Sequence, residues 1–154
     1  MGYLDIIALD RAKTYLRIDD GMNEDDAEIE SMIKAAFIFM QRYTNYIFIP
    51  TDIAVTAYNS CDEWTKVYQY PINSMTPADA KNKVKPLYSL FYIDQSVDLY
   101  LNVGYTDTAD VPDDFIQCAL QLIKVWYYES EKQANSTLIP ISVTQVLDTY
   151  RRFV

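Results

Sequence analysis

The sequence predicts a mainly α-helical fold, a helical bundle with a small β-hairpin or sheet element, on three observations. Four segments repeat their apolar residues at intervals of three and four, the period of a helix. Acidic or capping residues stand at the starts of those segments, where they suit the unpaired N–H groups and positive end of a helix. Only the stretch between Ile53 and Tyr105 changes its period to two. With 154 residues, half of them apolar, the chain reads as one domain, 1–154, that can bury a sizeable core.

Leu9, Ala12 and Leu16 share one face and place a first helix at 9–17, with Asp10 near its start and Asp19-Asp20-Gly21 breaking it. Asn23 is expected to cap the second helix, whose first turn Glu24, Asp25 and Asp26 load with negative charge. Ile29, Ile33, Ala36, Phe37 and Met40 form its apolar stripe, which should end near Tyr43 or Thr44, ahead of Pro50. Ile53, Val55 and Ala57 then alternate as in a half-buried strand. Val97, Leu99, Leu101 and Val103 do so more clearly, with Asp98 and Asn102 on the other face. Segments 67–70 and 87–93 are expected to be extended, and Pro71, Pro77 and Pro86 confine the region to short strands and turns. Pro112 suits the opening of the third helix because it has no N–H to leave unpaired, and Asp113 and Asp114 follow it. Phe115, Ala119, Leu122, Ile123 and Trp126 make the main stripe there. Ile116, Leu120 and Tyr127 widen it, so this helix should be packed on more than one side with Trp126 buried. Ser142 and Gln145 have capping-box spacing for a last helix, with Val143, Val146, Leu147 and Tyr150 on one face. At roughly 11 residues that helix needs a partner surface.

Fourteen tyrosines stand against six phenylalanines and two tryptophans, and a ring with a polar tip serves interfaces as well as cores. A net charge of −9 argues against attraction to nucleic acid, though not against a protein past which DNA slides. Lys81, Lys83 and Lys85 form the one basic cluster and read as a solvated loop. Cys61 and Cys118 have neither metal-ligand nor redox spacing and are expected as free thiols in a reducing compartment. No secretory signal is expected, and no apolar run approaches the ~18 residues of a membrane span. Asn135-Ser136-Thr137 then reads as a chance sequon. The chain has no histidine, the commonest general base and a common metal ligand, so no Ser or Cys has a His to activate it. Gly2, Gly21 and Gly104 form no phosphate cradle. The acidic run Asp19, Asp20, Glu24, Asp25, Asp26, Glu28 and Glu30 is the best candidate for a hard cation. A calcium loop built on Gly21 would put Leu16 at its first ligand position, however, and a helix start with a solvated face explains the run. The expectation is a non-enzyme without catalytic residue, metal or cofactor.

Four blocks carry a resemblance. The run from Leu9 through Asp10-Arg11-Ala12-Lys13-Thr14-Tyr15-Leu16-Arg17-Ile18 to Asp19 resembles the opening helix and acidic turn of phage gp6-like head-tail connectors. Glu24-Asp25-Asp26, on through Ile33-Lys34-Ala35-Ala36 to Tyr43-Thr44, is similar to their long helix. Val111-Pro112-Asp113-Asp114, leading to Ala119 and Trp126-Tyr127-Tyr128-Glu129, resembles their third, and Leu138-Ile139-Pro140 through Val143 to Tyr150-Arg151 their ending. Ala8 departs from a usual capping Ser or Thr, Val103-Gly104-Tyr105 replaces Ala-Gly-Tyr, and 52–95 matches poorly. The resemblance implies a structural virion protein made in the host cytoplasm: an adaptor forming a twelvefold ring in the neck. Its partners would be further copies of itself, the portal protein, and a downstream stopper or tail-completion protein, with no membrane involved. Genomic DNA would pass through the ring during ejection without specific binding, kept moving by acidic residues that repel phosphate. The resemblance also favours docking of segment 138–154 on the portal through Val143, Val146, Leu147, Tyr150, Arg151 and Arg152, since Tyr and Arg are enriched at interface hot spots. The other fate for that segment is folding back on its own domain. A stopper or tail-completion role is the nearest alternative function, and a small acidic enzyme or regulatory binding module is the alternative of another class.

Overall fold

A computed structural model of the chain describes residues 1–19, 21–57, 64–78, 81–92, 97–129 and 139–152. Along them run α1 (Tyr3–Ile6), α2 (Leu9–Leu16), α3 (Asp26–Thr44), β1 (Thr51–Ala57), β2 (Thr65–Val67) and β3 (Ile72–Thr76). Then come β4 (Lys81–Val84), β5 (Ser89–Tyr92), β6 (Val97–Val103), a 3-10 turn (Thr108–Asp110), α4 (Asp113–Glu129) and α5 (Ile141–Tyr150). The fold is mixed α/β, not mainly α as the periodicity predicts. Of the described residues 47 % are helical and 24 % strand, with two three-stranded antiparallel sheets ordered β1-β6-β3 and β2-β5-β4. The extra strands escape a reading by period because β4 is wholly exposed and the half-buried Ile72 and Met75 of β3 stand three apart across a register shift. β3 reads Ile-Asn-Ser-Met-Thr, and all four residues of β4, Lys-Asn-Lys-Val, are exposed. Backbone pairing to a neighbour holds such strands, and an alternating apolar face does not announce them.

The helices follow their stripes closely. Asn45 ends α3 in the left-handed conformation at φ 62°, with its N–H on Gln41 O, a common use of Asn after a helix. Two expected caps are replaced. Asp25, not Asn23, precedes α3, and Pro140 precedes α5, where the Ser142 hydroxyl donates to Gln121 Oε1 instead of closing a capping box. Trp126, expected inside, is only half-buried against the core. The short α1 carries no periodic signal; its start is held by the Gly2 N–H on Asp5 Oδ2 at 2.6 Å.

The main core lies among the helices. Ile29, Ile33, Ala36, Phe37 and Met40 of α3 meet Phe115, Ala119, Leu122 and Ile123 of α4, with Leu16, Val143 and Leu147 sealing the sides. A smaller core fills the space between the sheets, where Leu99, Leu101 and Val103 of β6 meet Val67 and Phe91. Alternation in β6 is as the sequence predicts, since Tyr100 points out at 56 % exposure between the buried Leu99 and Leu101. Phe48, fully buried in the segment between α3 and β1, belongs to the main core. Its ring lies 5.1 Å from Phe37, 4.9 Å from Phe115 and 6.2 Å from Tyr105. Gly104 lets the same segment pass close: at φ +113° a Cβ there would sit 2.5 Å from Ile49 O.

Candidate functional site

Arg152 ties the helices to the small sheet. Its N–H donates to Thr44 O at the end of α3 (3.0 Å), and its carbonyl accepts from Asn45 Nδ2 (2.6 Å). Its Nη2 reaches the β4–β5 turn and donates to Lys85 O (3.2 Å) and Ser89 Oγ (3.3 Å), with the guanidinium 4.8 Å from the Tyr70 ring centre. Burial lowers its pKa from the ordinary arginine value. Beside this knot a cleft of about 410 Å³ is lined by Tyr46, Tyr70, Tyr105 and Tyr150 with Asn73 and Asp110. Burial raises the pKa of Tyr46 and Tyr105. Tyr150 is pushed up to about 12, first by its hydrogen bond to Asp114 (2.7 Å) and then by burial. These three phenols keep their protons at neutral pH, so the cleft presents donors and ring faces and they cannot serve as bases there.

A second knot fixes the acidic run. Lys13 is 3 % exposed, and its ammonium donates to Met22 O (2.7 Å), Asn23 Oδ1 (3.1 Å) and Asp26 Oδ1 (2.9 Å). Three donors meet three acceptors, as a buried lysine requires. Asp25 accepts from the Tyr127 hydroxyl (2.7 Å), and the Tyr128 hydroxyl donates to Leu16 O (2.6 Å). Asp19, Glu24 and Glu28 are exposed and Glu30 is half-buried. Asp20 lies outside the described residues, as do Cys61 and the 135–137 sequon. Among the described residues no group of three His, Cys, Asp or Glu is placed to hold a metal ion. No described helix is long and apolar enough to cross a membrane. Cys118 is a buried free thiol pushed up to about 11, chiefly by burial.

The C-terminal residues singled out by the sequence divide by burial. Val143, Leu147 and Arg152 are buried in the chain's own fold. Val146 and Tyr150 are half-buried, with Tyr150 4.6 Å from Phe115 and 5.7 Å from Tyr46. Arg151 is exposed, 5.2 Å over the Tyr43 ring, while the Tyr43 hydroxyl donates to Asp148 (2.7 Å). The period of the apolar residues signals the inward face of this helix. Nothing in the pair Arg151-Arg152 signals that its second member is internal, and nothing in α2 marks Lys13, which sits next to Ala12 on the inward face. Lys81 and Lys83, expected in a loop, lie in strand β4, and only Lys85 is in the turn that follows.

A family model described as phage gp6-like head-tail connector protein matches residues 6–87, more than half of the 154. A search of curated proteins finds no match. Among solved structures, a chain from the neck of an empty gene transfer agent particle with C6 symmetry is similar at TM-score 0.75 and 16 % identity, covering 100 % of this chain and 94 % of that one. A chain from the native gene transfer agent virion gives 0.74 and 13 %, over 97 % and 91 %. One from the native neck with C12 symmetry gives 0.63 and 12 %, over 92 % and 88 %. At these identities the likeness concerns the fold.

Proposed function

We propose, since the chain belongs to the family of phage gp6-like head-tail connector proteins, that it is a structural adaptor of a virion neck. The family match over residues 6–87 carries this reading, and the whole-length likeness to neck proteins of C6 and C12 assemblies supports it. In this reading the chain is a non-catalytic ring subunit, twelvefold, seated between a portal protein and a downstream stopper or tail-completion protein. The genome passes through the ring. With a net charge of −9, carboxylates facing the lumen would repel phosphate and keep DNA from sticking.

The portal contact belongs to the same proposal. Val143, Leu147 and Arg152 hold α5 from inside, so a portal would meet its outer rim at Val146, Tyr150 and Arg151. Light scattering coupled to size exclusion, on the chain alone and mixed with portal, tests the role. A complex whose mass fits a ring of chains on a portal is expected. A monomer that passes portal unchanged contradicts the adaptor role, and Arg151→Glu binding portal as well as the parent contradicts the rim.

A further inference from the structure

Among the described residues the small sheet β2-β5-β4 presents two rows of side chains on one face. Register places Lys81 opposite Tyr92, and Lys66 and Lys83 on either side of Leu90. Trp64, just ahead of β2, lies 5.5 Å from Tyr92 by ring centres. The ammonium groups stand over the rings: Lys83 at 4.6 Å from Trp64, Lys66 at 5.3 Å from Tyr88 and Lys81 at 5.8 Å from Tyr92. All three lysines are exposed, and no carboxylate among the described residues pairs with them. The described residues 64–78 and 81–92 carry four lysines and no carboxylate, in a chain whose total charge is −9.

The charge has a direction. Arg152 fastens the β4–β5 turn to the C-terminal end of α3, while Glu24, Asp25 and Glu28 stand at its N-terminal end. Nineteen residues at ~1.5 Å each separate the two ends by about 28 Å. The two ends of α3 are thus farther apart than the ~8 Å over which surface charges act in physiological salt, and among the described residues the basic face forms no ion pair with those acids within one molecule. It can do so between molecules. Two different surfaces that complement each other give a head-to-tail contact, the kind that propagates and closes into a ring.

We propose that the Lys66, Lys81 and Lys83 face is an interface for a second copy of this chain, whose acidic α3 end, with Glu24, Asp25 and Glu28, it receives. The aromatic rings beneath the ammonium groups restrict the lysine side chains, which lowers the ordering cost of the contact. Duplex DNA is disfavoured as the occupant because the chain's net charge of −9 opposes it. The inference deepens the ring reading above, which would survive if copies met through other surfaces.

Charge reversal tests it. K66E/K81E/K83E and E24K/E28K are each prepared in the full chain, with circular dichroism confirming that both fold. Sedimentation velocity then follows self-association at low and high salt, alone and with the two variants mixed. The parent should self-associate more weakly as salt rises, and each variant alone should lose roughly tenfold or more in association. Mixing the two should restore it, because the reversed faces now complement one another. A zero-length amine-to-carboxyl cross-linker should join these lysines to these acids between isotopically distinct copies. Association that is unchanged by reversal overturns the inference while leaving the ring reading intact, and reduces the lysines to guards of open strand edges. A parent that stays monomeric throughout, or a gel shift of duplex DNA that only the lysine variant abolishes, also overturns it.

Discussion

Lys13 sits within the helical layer with its whole donor capacity used, and its three acceptors all come from the segment that leads into α3. Removing the ammonium leaves Asp26 without its cation and Met22 O without its donor. Lys13→Ala is expected to cost about 2 to 4 kcal/mol in denaturant unfolding, below the full value for a sealed pair because Asp26 keeps some water. A loss under about 0.5 kcal/mol, typical of surface substitutions, would show the knot to be dispensable. Tyr150 gives a prediction in pH. Its folded pKa of about 12 exceeds the ordinary value of 10.0, so the protonated phenol is bound more tightly in the fold. That contribution is whole below pH 10 and fades as pH rises toward 12. Tyr46 and Tyr105 shift in the same direction through burial. Stability should therefore hold up to pH 10 and fall above it, and Tyr150→Phe should fall less steeply across that window; identical alkaline profiles would contradict the assignment. The roles of Lys13 and Arg152 are not readable from their own positions. Lys13 needs partners 9 to 13 residues away, and Arg152 needs Thr44, Lys85 and Ser89.

At the scale of elements, α5 is the decisive one. Val143 and Leu147 have no exposed surface, and Tyr150 closes over Phe115 and Tyr46. Leu147→Ala should cost about 2 to 5 kcal/mol, as buried leucine truncations do. Truncation after Pro140 should abolish the cooperative melt, because it uncovers the side of α3 and α4 that α5 seals. A truncated chain that melts as the parent does would mean that α5 contributes little to its own domain. Helices α2, α3, α4 and α5 were legible because a solvated helix with one buried face must repeat every three to four residues. The better strands, β1 and β6, were legible by alternation. β3 and β4 were not: β4 is wholly exposed, the half-buried Ile72 and Met75 of β3 stand three apart across a register shift, and the order β1-β6-β3 pairs segments about 25 to 50 residues apart, which no local pattern specifies. The lysines of β4 illustrate the loss: with Lys85 they read as a loop, until pairing with β5 sets Lys81 over Tyr92 and Lys83 over Trp64.

The whole molecule joins a helical layer, acidic at one end, to two small sheets, one of them carrying the lysine face, through a joint of tyrosines and Arg152. Both cores are built from apolar side chains, and Cys118 in the main one is a free thiol. The tyrosine excess has a local use in this arrangement: rings fill the joint while the hydroxyls of Tyr43, Tyr127 and Tyr150 hold Asp148, Asp25 and Asp114 at the surface. A subunit held together in this way can arrive folded and offer its surfaces to neighbours. Family membership makes the neck the place where those neighbours are found, and the proposed contact would use the charge separation along α3 to set copies side by side in one direction. Electron microscopy of the chain assembled on its portal tests that account most directly. It predicts a closed ring coaxial with the portal, with a central channel, α5 toward the portal and the lysine sheet of each copy against the α3 end of the next. Portals that remain bare, or chains attached singly without a ring, would contradict it.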